Sequence, residues 1–198
     1  VHAGQVLVTR ADSNADPLGN ISNTIAALHR LGAIPIINEN DTISVDELDR
    51  FADNDTIAAL IANLLRADLL IILTVVDGLL DTQGQVIDLV TKVNGEVRAF
   101  VQTHKSPLGS GGMASKIGAV KLFTDAGEPG IIACGRTPNV LLKIMDGQRI
   151  GTVFAPADKK RSARARWLGA AVRPAGHVVV DAGAVNALRS GGKSLLAS

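Results

Sequence analysis

Apolar and polar positions change along this chain in blocks. Four short apolar runs stand out: QVLVT at Gln5–Thr9, IPII at Ile34–Ile37, LLIILT at Leu69–Thr74 and GIIAC at Gly130–Cys134. Continuous runs of this length suit strands whose two faces are both covered, as in a parallel sheet under helices. Between them the apolar residues recur at helical spacing. A helix is expected from about Asn20 to Leu31, with Leu18, Ile21, Ile25 and Leu28 as its stripe and Gly32 just past its end. The clearest helix is expected over Asp53–Ala67, capped by Asp53 or Asn54, with Ile57, Leu60, Ile61 and Leu64 on one side. Further helices are expected at Gly95–Gln102, Met113–Ala126 and Pro138–Met145. Gly151–Phe154 reads as a strand remnant, and Val86–Val93 as irregular chain or a short strand. Pro35 implies a strand at a sheet edge, or a strand that starts at the proline.

Strands and helices that alternate in this way predict an α/β fold: a three-layer αβα sandwich around a mostly parallel sheet. Ligands in such folds bind beyond the carboxyl ends of the strands. The polar residues Asn38–Asp41, Thr74–Gly78 and those after Cys134 all follow strands, so they are expected along one edge. From Pro156 the pattern changes. ADKKRSARARW is basic and has no apolar period, as in a linker or surface strand. Gly176–Ser198 reads as a strand, a short helix and a turn, too little to close a core of its own. The expected organisation is therefore 1–156, a connecting stretch at 157–174, and the start of a second domain at 175–198.

Charge sharpens this picture. The net charge is only +1, but the acidic residues crowd the middle of the chain and the basic ones crowd Lys159–Arg166. One cysteine, Cys134, rules out an intrachain disulfide and any multi-cysteine zinc site. The four histidines are scattered with no i, i+4 pair, which argues against a histidine-held metal. No apolar run is long enough for a membrane-spanning helix, and no signal peptide is visible. A cytoplasmic protein is expected, with an N-terminal part missing because the chain starts at Val1 and not at Met.

Three constellations carry candidate chemistry. In PLGSGGMASK (Pro107–Lys116), Gly109, Gly111 and Gly112 allow backbone N–H groups close to an anion. The next helix offers its positive end there, with Lys116 in its first turn. A lysine over such a nest suits a transferring phosphoryl group; a surface loop leading into an ordinary helix is the plainer reading. The pattern is not a Walker loop. The second constellation joins Asn38, Glu39, Asn40 and Asp41 to Asp53, Asn54 and Asp55. Carboxylates that face a cleft bind an ammonium group and amides bind a carboxylate, which suits an amino acid. Helix capping explains one or two of these residues and leaves NEND unexplained. The third is TVVDGL (Thr74–Leu79), where Asp77-Gly78 is first of all a turn signal.

Taken together, IPIINENDTISVDEL, FADNDTIAALIANLLRADLLIILT, VDGLL, GSGGMASK, GTVF and RARWL resemble, in order and over the whole chain, the glutamate 5-kinases of the amino acid kinase family. GHVVVDAGAVNAL resembles the opening of the PUA domain that many of them append. The resemblance implies an amino acid kinase-like fold. It also implies transfer of the ATP γ-phosphoryl group, with Mg²⁺, to the side-chain carboxylate of L-glutamate, the first step of proline biosynthesis. By resemblance Asp41 and Asn54 bind glutamate, and Asp55 organises the site or holds the ammonium group. Thr74 and Val75 line the nucleotide site. Ser110, Gly111, Gly112, Met113, Ala114, Ser115 and Lys116 wrap the phosphates, with Lys116 stabilising the transferring group. A homo-oligomer is also implied.

The chain departs from the family pattern at three places. Val75 stands where the family has Asp, Ala52 where it has Gly, and Leu80 where Tyr is common. The family's first glycine-rich loop with its lysine, and its glutamate-contacting serine, belong before Val1, so the chain alone is expected to be inactive. Two other readings stay open. One is a family member with a different carboxylate, carbamate or nucleotide acceptor. The other is a non-catalytic protein that touches RNA through Lys159–Arg166.

Overall fold

The computed structural model describes residues 1–8, 17–40, 53–95, 97, 112–158 and 179–190. The strands are β1 (His2–Val8), β2 (Ala33–Glu39), β3 (Leu70–Thr74), β4 (Leu89–Val90), β5 (Gly130–Cys134) and β6 (Thr152–Phe154). The helices are α1 (Pro17–Arg30), α2 (Asn54–Leu65), α3 (Met113–Thr124), α4 (Val140–Met145) and α5 (Ala182–Ser190).

The strands form two sheets. β1 and β2 pair in parallel, with Gly4 opposite Pro35. The other four lie in the order β3-β5-β6-β4. There β3 runs parallel to β5 and β4 parallel to β6, but β5 and β6 are antiparallel. The α/β class and the largely parallel pairing match expectation. The antiparallel step between β5 and β6 falls within that mostly parallel pattern and depends on the turn before β6. Gly151 has φ +78°, and a Cβ there would stand 2.3 Å from the carbonyl oxygen of Ile132. Only glycine lets the chain turn back that close to β5.

Pro35 is tolerated in β2, which among the described residues is paired only on its β1 side. The Asn40 N–H donates to the Val8 carbonyl across the ladder. Backbone groups alternate in direction along a strand, so Pro35 turns its missing N–H away from β1. The outer face of this pair is also bare. Leu7, Ile34 and Ile36 are exposed, whereas Val6, Val8 and Ile37 pack with Ile21, Leu28, Ile57 and Ile61 from α1 and α2. Two-sided cover, expected from the apolar runs, is therefore absent from β1 and β2 among the described residues.

α2 is apolar over more of its circumference than one stripe. Ile57 and Ile61 face the β1-β2 pair. Ala59 and Ala62 face a larger core with Ile72, Leu79, Ile117, Val120, Phe123, Ile132 and Phe154. A third cluster, built on Ala133, Val140 and Ile144, covers the other face of β3 and β5. Helices on both faces of that sheet give it the layered form the alternation predicts. α2 ends through Arg66, whose φ of 55° lets its N–H reach the carbonyls of Ala62 and Asn63.

The stretch from Asp41 to Ala52, the glycine-rich loop up to residue 111 and the basic run Lys159–Arg166 lie outside the described residues. Of the helix expected at Gly95–Gln102, Gly95 and Val97 are described and helical. Near the C-terminal end a helix is present; the strand expected before it lies outside the described residues up to residue 178, and Val179 and Val180 are not in a strand. No helix among the described residues is long and apolar enough to cross a membrane.

The VDGL turn is anchored from inside. Thr152 is fully buried, and its hydroxyl oxygen accepts the Leu79 N–H at 2.8 Å. A Cβ on Gly78 would lie 2.7 Å from that same oxygen. The turn therefore requires both the glycine and the threonine hydroxyl. Thr152→Val keeps the shape but orphans a buried N–H, and should cost about 1–3 kcal/mol of stability. Thr152→Ser should cost much less. Urea unfolding of the two variants checks this.

Candidate functional site

The site forms where two helices begin. α2 leads directly into β3, and α3 leads into β5. Each helix therefore runs back along its strand, and both helix N-termini lie at the edge where β3 and β5 end. α2 and α3 pack against one another. Ala59 and Ala119 are buried in their shared core, and side chains this small let the two backbones approach closely. Asn63 adds a hydrogen bond across the contact, from its side-chain amide to the Leu122 carbonyl at 3.4 Å.

Asp53 caps α2. Its Oδ1 accepts the Thr56 N–H at 2.7 Å, the arrangement expected from an Asp ahead of an apolar-periodic run. Its other oxygen, Oδ2, accepts the hydroxyl proton of Ser115, in the first turn of α3. The same hydroxyl oxygen lies 3.3 Å from Asp55 Oδ2. Asp55 in turn holds Lys116, with Nζ 2.9 Å from Oδ2. Both side chains of this ion pair are only 16% exposed, so solvent screens it less than a surface pair. The result is a chain of polar groups, Asp53–Ser115–Asp55–Lys116, that joins the two helix starts.

The electrostatics of this chain are consistent. Burial disfavours the charged form of Asp53 and would raise its pKa. Hydrogen bonds from Ser115 and from Thr56, with the nearby charge of Lys116, outweigh that and hold the carboxyl below the usual 3.8. Carboxylates beside helix N-termini are also favoured by the peptide dipoles. α3 begins at Gly112, which has extended backbone and offers no side-chain cap. The Gly112 carbonyl accepts the Ser115 N–H at 3.0 Å, so the cap residue leaves the N–H groups of Met113 and Ala114 without a side-chain acceptor, which suits an incoming anion.

Of the residues expected to act, Asp55, Ser115 and Lys116 are brought into contact. Asn54 is the first residue of α2 and is exposed; Gly112, Met113 and Ala114 open α3. Thr74 ends β3 opposite Cys134, and its carbonyl accepts the Gly135 N–H at 2.8 Å. Val75 follows and is 65% exposed at the same edge. Asp41, Ser110 and Gly111 lie outside the described residues. Asp53 is the residue whose second role sequence reasoning missed. Its capping was legible from local spacing, but a partner 62 positions away leaves no local signal.

With this geometry in place, comparison with known proteins is informative. A model of the amino acid kinase family matches residues 1–134. A protein of Desulfotalea psychrophila named glutamate 5-kinase is 46% identical over 201 residues, covering 98% of this chain and 53% of that protein. One of the same name from Thermosynechococcus vestitus is 46% identical over 203 residues, covering 98% and 54%. The chain thus spans about half the length of the curated relatives it matches. Among solved structures, N-acetylglutamate synthase from Neisseria gonorrhoeae, complexed with coenzyme A and L-arginine, has a TM-score of 0.56 at 17% identity. That likeness is one of fold, over 78% of this chain and 38% of that one.

Because the folded carboxyl of Asp53 titrates below its unfolded value, its stabilising effect is complete above the ordinary aspartate pKa of 3.8. It disappears as pH falls through the depressed folded value. Wild-type stability should therefore fall more steeply below about pH 4 than that of Asp53→Asn, which has no charge to lose there. Denaturant unfolding from pH 7 down to pH 3 checks the slope. Equal slopes would show that Asp53 is not held ionised by its partners.

Proposed function

The chain belongs to the amino acid kinase family, and on that premise we propose that it is part of a glutamate 5-kinase. The reaction moves the γ-phosphoryl group of ATP onto the side-chain carboxylate of L-glutamate. Its products are glutamyl 5-phosphate and ADP, and it opens proline biosynthesis. The observation that carries this reading is the partly buried Lys116–Asp55 pair at the uncapped start of α3. The names of the relatives support the choice of acceptor.

A carboxylate is already a competent nucleophile, so no strong general base is required. The protein's work is to align two anions and offset their repulsion. In this reading Lys116 is drawn from Asp55 toward the transferring phosphoryl group, and Asp55 keeps it poised. The N–H groups at the start of α3, from Gly112 to Ala114, face the phosphates, with Ser110 and Gly111 ahead of them and the Ser115 side chain beside them. Asp41 and Asn54 hold glutamate. Thr74 and Val75 line the nucleotide, with Val75 contributing backbone groups and apolar surface where the family has a carboxylate.

Magnesium enters with the nucleotide. Among the described residues no group of three or more His, Cys, Asp or Glu is placed to hold a metal. Asp53 and Asp55 already face Ser115 and Lys116. This donor set fits an ion that takes most of its ligands from phosphate and water; when bound, it offsets phosphate charge. The same reading assigns 1–156 to the kinase domain, 157–174 to a connection and 175–198 to the start of a PUA-like domain. It places the protein in the cytoplasm as a homo-oligomer.

The test is ADP release by the full-length protein with ATP and a panel of acceptors. Glutamate should be preferred over aspartate, N-acetylglutamate and UMP. Lys116→Ala should lower kcat by about 10²–10³-fold, the usual scale for removing a group that stabilises transition-state charge. Asp41→Ala should mainly raise KM for glutamate. ADP release indifferent to glutamate would sink the reading.

A further inference from the structure

We propose that Ser115 is a positioning residue that acts through Asp53 and Asp55 to set the place of Lys116. This inference rests on the phosphoryl-transfer reading above and assigns Ser115 a role in addition to phosphate contact. The argument begins with hydrogen-bond capacity. A serine hydroxyl has one proton, and here that proton goes to Asp53 Oδ2. Asp53 cannot move toward it freely, because its other oxygen is fixed by the cap on the Thr56 N–H. Ser115 is therefore tied to a rigid point on α2.

Lys116 is the next residue on α3. Its ammonium meets Asp55, two positions after Asp53 on α2. The two contacts bridge the same pair of helices, side by side. The hydrogen bond between Ser115 and Asp53 fixes the offset of α3 against α2, and that offset decides whether Lys116 reaches Asp55. Asp55 Oδ2, 3.3 Å from the Ser115 oxygen, lies close enough to sense any shift of that hydroxyl. Small displacements of a charged group near reacting atoms carry large rate effects.

The variants Ser115→Ala and Ser115→Thr in the full-length protein test this. The alanine variant loses the tie and the threonine variant keeps a hydroxyl. In the first measurement, nucleotide-free protein is labelled with acetic anhydride and modification of Lys116 is read by mass spectrometry. Labelling of Lys116 should rise several-fold in Ser115→Ala and return toward wild type in Ser115→Thr. In the second, kcat should fall about tenfold in Ser115→Ala, with both KM values within about twofold of wild type. The threonine variant should recover most of kcat.

A loss confined to KM for ATP would mean direct phosphate contact only, and overturns the proposal. Unchanged labelling overturns it as well, whatever happens to rate, and so does unchanged kcat in an active protein. If the wild type ignores glutamate, the functional reading alone falls, and the labelling result decides whether Ser115 positions Lys116.

Discussion

The close packing of α2 on α3 is the contact on which the site depends. Alanines at 59 and 119 are buried in their shared core beside Ile117, Val120 and Phe123, and their small side chains leave room for a close approach. Because both helices start at the same edge, that approach brings two carboxylates and a lysine within hydrogen-bonding range. A larger side chain at either alanine would have to push the helices apart or distort its neighbours. The polar chain from Asp53 to Lys116 is thus a consequence of apolar packing about one to two turns below it.

α2 has a second duty. One side closes the core of the four-stranded sheet and the other closes the small cluster over β1 and β2. Among the described residues the two sheets share no ladder. Pro35, with its donor missing on the open side of β2, is incompatible with continuous pairing there. A helix that is apolar on two sides does what a hydrogen-bonded strand would otherwise do. This also accounts for a helix with few polar positions beyond its first turn.

The turn after β3 shows the same economy. DG is a turn signal in any sequence, but here its glycine has a second cause in the buried oxygen of Thr152. That oxygen holds Leu79 in the core and keeps the segment after Val75 in place. The edge where β3 ends is therefore rigid on its inner side, while Val75 stands open. Such an edge can present backbone groups and an apolar surface without a carboxylate at that position.

Much of this protein was legible from its residues in order. The apolar runs located β3 and β5 to within a residue, and the helical spacing located α2 and α3. Local physics explains this success: a buried strand needs continuous apolar chain, and a helix needs a cap. A cap at Asp53 or Asn54 and Lys116 in a first turn follow from spacing alone, and the structure selects Asp53 as the cap. The same residues could not reveal that Ser115 and Asp53 meet, that the sheet carries an antiparallel step, or that among the described residues β1 and β2 have one uncovered face. Each depends on which distant surfaces come to lie together, and packing decides that. A hydroxyl and a carboxylate 62 positions apart become partners only when the buried faces of two helices close on one another.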